Sequence, residues 1–78
     1  MHITVKGRPY PFAQTDHHVT LDLHQAGCAK LWLTDDPMLP IMLNNQHVGD
    51  LCKSWVDDHT ARQVAHMIFV MVRDHVAK

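Results

Sequence analysis

"DHHVTLDLHQAGCAKLWLTDD", residues 16–36, alternates with a period of two, turns, and alternates again. In an extended chain Val19, Leu21 and Leu23 fall on one side, and His18, Thr20, Asp22 and His24 on the other. After Gln25-Ala26-Gly27, the residues Ala29, Leu31 and Leu33 share one side, and Cys28, Lys30, Trp32 and Thr34 the opposite one. A three-residue loop with glycine in its last place suits a hairpin closed by a left-handed Gly. That loop sets residue 24 across from residue 28. It predicts Leu21 facing Leu31 and Val19 facing Leu33 on the apolar side. On the polar side it predicts an opposite-charge pair, Asp22 with Lys30, and Trp32 opposite Thr20. A slip of one residue would exchange the two faces. The hairpin 17–24/28–35 is therefore the centre of the expected fold.

Upstream, "HITVK" at 2–6 alternates as a short strand and is stopped by Gly7. In "RPYPFAQT" (8–15), Pro9 and Pro11 remove two ladder donors, which predicts an edge segment or loop with Tyr10 and Phe12 free to pack or to bind. Downstream, "DDPMLP" is a turn or short link. "LPIMLNNQHVGD" (39–50) reads as a strand, a tight turn at Asn44-Asn45, and a short return ended by Gly49. This piece is similar to the hairpin near the end of glutaredoxins; the redox CxxC is absent and the order of elements differs, so nothing of that family is carried over. Asp50 is placed to cap a short helix near 50–56, and Asp57 or Asp58 a long helix near 58–76, whose late Arg73 and Lys78 suit the helix dipole. The expected fold is α+β in one domain over 1–78. It has a small antiparallel sheet of three to five strands, with the C-terminal helix packed on one face.

That helix carries more apolar width than one sheet face requires. At 100° per residue, Val64, Ala65, Met67, Ile68, Phe69, Met71, Val72 and Val76 fill an arc of roughly 200°, against the about 100° that a helix on a flat face needs. Val70 lies alone among the polar residues. The excess calls for a cover, either the short helix with Trp55 or a second subunit or partner.

Bulk properties exclude several classes. Seventy-eight residues make one small core of limited stability, and a hydrophobic fraction of 46% excludes a disordered chain. A formal charge of −1 argues against tracking a phosphate backbone. All eight acids are Asp, and there are eight histidines, so full protonation would move the charge from −1 to +7. An unperturbed imidazole titrates near 6.5, so solubility or association is expected to change between about pH 7 and 5.5. The longest apolar run, Met67–Val72, is far too short to span a bilayer, and "MHITVKG" has no signal-peptide core. Two cysteines make no secreted disulfide framework, so reduced thiols in the cytoplasm are expected.

Two constellations are candidates for chemistry. His18, Asp22, His24 and Cys28 bring imidazole, carboxylate and thiolate, the ligand types zinc uses, onto one face. The alternative is an ordinary polar sheet face, because the spacing matches no paired CxxC or HxxxH element. Trp32 is the second. A large aromatic on a polar face, opposite Thr20 and beside Lys30, Thr34 and His18, is the composition of a contact hot spot; the alternative is that the Tyr10–Phe12 segment folds over it. "DHH" at 16–18 shares its letters with a phosphoesterase family whose further acidic motifs are missing. No Gly-rich phosphate loop exists, nothing beside Cys28 marks an oxyanion hole, and Cys52 is expected as an inert buried thiol on an apolar helical face.

The expected function is a non-enzymatic protein–protein interaction module without cofactor. It is of the inhibitor or adaptor type found among small phage and mobile-element proteins, and is expected to form a homodimer. Its candidate contacts are Trp32, Lys30, His18, Thr20, Tyr10, Met67 and Val70. The alternatives are a metal-binding or metal-sensing protein using the histidine face, and single-stranded nucleic-acid binding on Trp32, which the charge disfavours. No membrane association is expected.

Overall fold

The computed structural model describes residues 1–77; the dipole role expected of Lys78 lies outside them. Six strands form one antiparallel meander in chain order: β1 (His2–Val5), β2 (Arg8–Gln14), β3 (His18–Asp22), β4 (Cys28–Trp32), β5 (Met38–Leu43) and β6 (Gln46–Cys52). Two helices follow, α1 (Lys53–Asp57) and α2 (Ala61–Val76). The class is α+β as expected, but with six strands rather than three to five.

The extra strands come from two places. The first is the proline segment. Phe12 N donates to Met1 O at 3.0 Å, and Ile3 pairs with Tyr10, so alternate residues of β2 turn their backbone toward β1. Pro9 and Pro11 are the residues in between, and β3 pairs only with Phe12, Ala13 and Gln14. The missing donors thus point to the last residue of β3, Asp22, and to the chain beyond it, where the ladder has run out and a proline disturbs little. The second is the return after Asn44-Asn45. It does not stop at Gly49 but runs to Cys52, with Val48 as an extra residue between the pairs Met42–His47 and Ile41–Gly49. Asp50 therefore lies within β6 and caps nothing, and the short helix begins at Lys53 rather than 50.

Tight turns join the outer hairpins. Lys6 and Gly7, and again Asn44 and Asn45, adopt positive φ, as a two-residue hairpin loop with the right-handed sheet twist requires. The central hairpin closes differently. His24–Ala26 forms a single 3₁₀ turn, with His24 at φ 59° and Gly27 at φ 108°, and Leu23 N donates to Gly27 O at 2.8 Å. The loop is thereby longer than the expected three residues. The pairs are His18–Trp32, Val19–Leu31, Thr20–Lys30, Leu21–Ala29 and Asp22–Cys28. The predicted 24–28 register is corrected by two positions, and the Asp22–Lys30 pair does not form. Because the shift is even, residues 18–22 and 28–32 keep their faces, but His24, in the loop at positive φ, leaves the polar face for Tyr10.

Helix α2 starts at Ala61, three residues later than expected. Thr60, not Asp57 or Asp58, is its cap. The Thr60 Oγ1 accepts from Gln63 N at 3.2 Å, and Gln63 Oε1 accepts from Thr60 N at 2.9 Å, a reciprocal capping box. The helix lies across the sheet with Val64, Ala65, Ile68 and Val72 buried against Ile3, Phe12, Val19, Leu21, Leu31 and Ile41. Its surplus width is covered mainly by the sheet itself. α2 touches β1, β2, β3, β4 and β6. Phe69 packs on Tyr10 with ring centroids 5.0 Å apart, and Met71 reaches over Gly49, where a Cβ would strike its methyl. A twisted six-stranded sheet wraps further around a helix than a flat one, and that consumes the arc that seemed to need another cover. The molecule measures 33 × 26 × 16 Å, the thickness of one sheet and one helix.

Candidate functional site

The second face of the sheet carries no layer. Alternation along the strands sends His18, Thr20 and Asp22 of β3 to it. Cys28, Lys30 and Trp32 come from β4, Met38, Pro40 and Met42 from β5, and His47, Asp50 and Cys52 from β6. Trp32 is 39% exposed and Met38 50%, both among the few large apolar side chains in water. Pro40 and Met42 beside them are half-buried.

Around Trp32 the side chains are arranged. His18, its cross-strand partner, meets the indole edge-on with centroids 5.5 Å apart. The Lys30 ammonium lies over the same ring, 5.0 Å from its centroid, a cation–π contact worth about 0.5–1 kcal/mol where water reaches it. Thr20, opposite Lys30, donates its hydroxyl to Ala13 O at 3.5 Å. A hollow of about 320 Å³ opens beside this group, lined by Cys28, Lys30, Trp32, Met42, Asn44 and Asn45. Asn44 is fixed there by its Nδ2 donating to Ala26 O at 3.0 Å.

The sequence-predicted contacts divide. Trp32, Lys30, His18 and Thr20 stand together on the open face. Tyr10 lies on the opposite one, half-buried between Phe69 and the His24 ring, and Phe12 is buried in the core. The Tyr10–Phe12 segment therefore does not fold over Trp32. Met67 packs on the core flank, and Val70 is half-buried outside that set.

The four candidate metal ligands are not gathered either. His24 Nε2 donates to Pro9 O at 2.7 Å, and its ring stacks toward Tyr10, away from Cys28. Asp22 and Cys28 do face each other, but Asp22 Oδ1 accepts the His24 amide at 2.8 Å. His18 sits beside Trp32, at the far end of the strand from Asp22. Among the described residues no three His, Cys, Asp or Glu side chains are placed to share a metal ion.

Met38, Pro40, Met42, His47, Asp50 and Cys52 belong to this face and were missed. Period-two alternation through "MLPIM" would have placed the first three beside Trp32. His47 follows from the Asn44-Asn45 turn, which sets it across from Met42, whereas Asp50 and Cys52 depend on the bulge at Val48, which sequence does not mark.

Cys52 closes the far corner of the face, exposed at the end of β6 rather than buried on a helix, because β6 runs past Gly49 to include it. Its Sγ is 3.0 Å from Ser54 Oγ. That hydroxyl, with the backbone N–H groups of Trp55 and Ser54, holds the thiol below its usual range, against a small opposing effect of desolvation.

Two other hollows lie elsewhere. One, of about 420 Å³, sits between β1 and the start of α2 by Thr4, Arg62 and His66, where Arg62 already donates to His2 O at 2.6 Å. The other, of about 180 Å³, is apolar and lies between Tyr10, Phe69 and Val76. Among the described residues no helix is long and apolar enough to cross a membrane. No known protein family, no curated protein and no solved structure matches the chain.

Proposed function

We propose that the chain is a non-enzymatic interaction module, an inhibitor or adaptor, that binds a partner protein on the open face of its sheet. One observation carries this reading. A sheet that buries the core of one face under a helix leaves on the other a half-apolar surface centred on an exposed tryptophan. Trp32, Met38, Pro40 and Met42 form a patch rimmed by His18, Asp22, His47 and Asp50, which is the make-up of an interface core with a polar rim. Trp32 is already held on two sides by His18 and Lys30, so little side-chain freedom would be lost on docking.

The surplus helix surface contributes less than expected, because Met67, Phe69 and Met71 pack on the core of their own chain. Metal binding is not carried forward, given how His24 is held. Capture of partners from native-host extract, with wild type beside Trp32→Ala and Met38→Lys, tests the reading. Partners retained by wild type and lost from both variants support it. Partners retained equally by all three, or lost only with Met67→Lys and Val70→Lys on the helix, would overturn it. Sedimentation of the same proteins reports whether the partner is a second copy.

A further inference from the structure

The charges of the open face are unequally satisfied. Asp22 accepts the His24 amide, and Asp50 Oδ1 lies 3.0 Å from His47 Nε2. Lys30 lies near the middle of the face, half-buried, and its ammonium rests over the Trp32 ring. Among the described residues it faces no carboxylate within ion-pair distance. It also forms one wall of the hollow whose other walls are an indole, a thioether, a thiol and two carboxamides. A partly desolvated cation without a counter-charge is an incomplete arrangement, and an incoming carboxylate would complete it.

Building on the reading above, the geometry points to a partner segment that places one Asp or Glu carboxylate against Lys30 in this hollow, with an adjacent apolar or aromatic side chain lying on Trp32 and Met42. Asn45, exposed at the rim, offers amide donors to the same carboxylate. The number of charges selects this occupant over a nucleic acid. Asp22, diagonal to Lys30 on β3, and Asp50, two strands away on β6, lie on the same face, and the chain carries a formal charge of −1. Such a surface tolerates a single carboxylate but repels a phosphate backbone. A second copy suits it less well. Lys30 and Trp32 lie near the middle of the face, and a two-fold packing of two such faces brings the lysines toward one another.

The test is selection from a random-peptide display library against the immobilised full chain, repeated with Lys30→Met, Lys30→Glu and Trp32→Ala, each first shown by thermal melting to be folded. Wild type is expected to enrich peptides with Asp or Glu next to an aromatic or aliphatic residue. Replacing that acid by its amide in a synthetic peptide should weaken binding about tenfold, and so should Lys30→Met. Lys30→Glu should select Lys or Arg at the same position. The acid-to-amide comparison needs no protein variant and stands even if one misfolds. Peptides without charge preference that are still lost with Trp32→Ala would sink this inference and leave the interaction surface standing. Peptides indifferent to Trp32→Ala would sink both, as would a selection that enriches nothing. Displacement of the selected peptide by an oligothymidylate, or occlusion of the face by dimerisation in sedimentation, would overturn the inference in favour of nucleic acid or a second copy.

Discussion

On β4, Leu31 and Trp32 are chain neighbours with opposite surroundings. Leu31 faces α2 and is fully buried; Trp32 faces away and is 39% exposed. The same division runs through the strands on either side, Leu21 against Thr20 on β3 and Ile41 against Met42 on β5. One face is mainly aliphatic and lies under the helix, without a buried polar group among the described residues. The other mixes an aromatic, two methionines, a lysine and histidines, with nothing over it. Aliphatic packing under a helix explains why the chain folds. It does not explain why a small protein should keep tryptophan and methionine in water, and that residue of the comparison is where function is to be sought.

The sharpest way to break the comparison is to truncate the two neighbours. Leu31→Ala should cost about 2–5 kcal/mol in urea unfolding, from lost transfer energy and the cavity left beneath α2. Trp32→Ala should cost within about 1 kcal/mol, the scale of its contacts with Lys30 and His18. Equal losses would mean that the open face is a covered core in solution. For a domain this small, that loss at Leu31 is a large part of the total stability.

Much of this division was legible in the chain. Alternation through residues 18–32 named both faces, and the hairpin error of two positions left them intact because strand side chains repeat every two residues. The register itself was not legible. It depends on His24 taking positive φ, which a histidine does only when other contacts hold it, here the Asp22 carboxylate on its amide and the Pro9 carbonyl on its ring. The role of β2 was hidden because its prolines argue against a strand unless the neighbouring strand is known to stop short. The helix cap was hidden by competition, since Asp57, Asp58 and Thr60 are all good caps, and only the Gln63 three residues after Thr60 favours the last. Of the site, Trp32, Lys30, His18 and Thr20 were visible from one hairpin. The rest of the face required knowing that β5 and β6 lie beside it.

A second break is smaller and acts on the seam between the faces. Gly27 takes φ 108°, and a Cβ there would strike the Asn44 carboxamide that walls the hollow. Gly27→Ala should cost about 1–3 kcal/mol and also weaken any ligand seated in the hollow. Gly7 has φ 77° but open space around it, so Gly7→Ala should cost less, at about 1 kcal/mol from backbone strain alone. Paired denaturation curves check the order; equal costs would show that Asn44 yields freely.

On the helix side, Thr60→Ala removes the capping box and should lower stability by about 1 kcal/mol, while Asp57→Ala and Asp58→Ala stay within about 0.5 kcal/mol. Unfolding midpoints of the three variants separate them. A larger loss at either aspartate would return the cap to the position that sequence favoured and lengthen the helix at its start.

The smallest effect lies on the open side and leaves stability aside. Cys28 and Cys52 are both exposed, at opposite corners of that face. Only Cys52 has a hydroxyl beside it, and hydrogen bonds from Ser54 and the start of α1 favour its thiolate. A depressed thiol titration means more thiolate at a given pH below the ordinary range, so iodoacetamide labelling of Cys52 should rise at lower pH than that of an ordinary exposed thiol. Ser54→Ala should move the profile back upward. Peptide mass spectrometry reads the two cysteines separately. A Cys52 profile unmoved by Ser54→Ala would show that the hydroxyl is not what favours the thiolate. A partner covering the tryptophan patch should slow labelling at both corners, because Cys28 borders the hollow and Cys52 stands across from Met38; protection of neither would place the bound surface elsewhere.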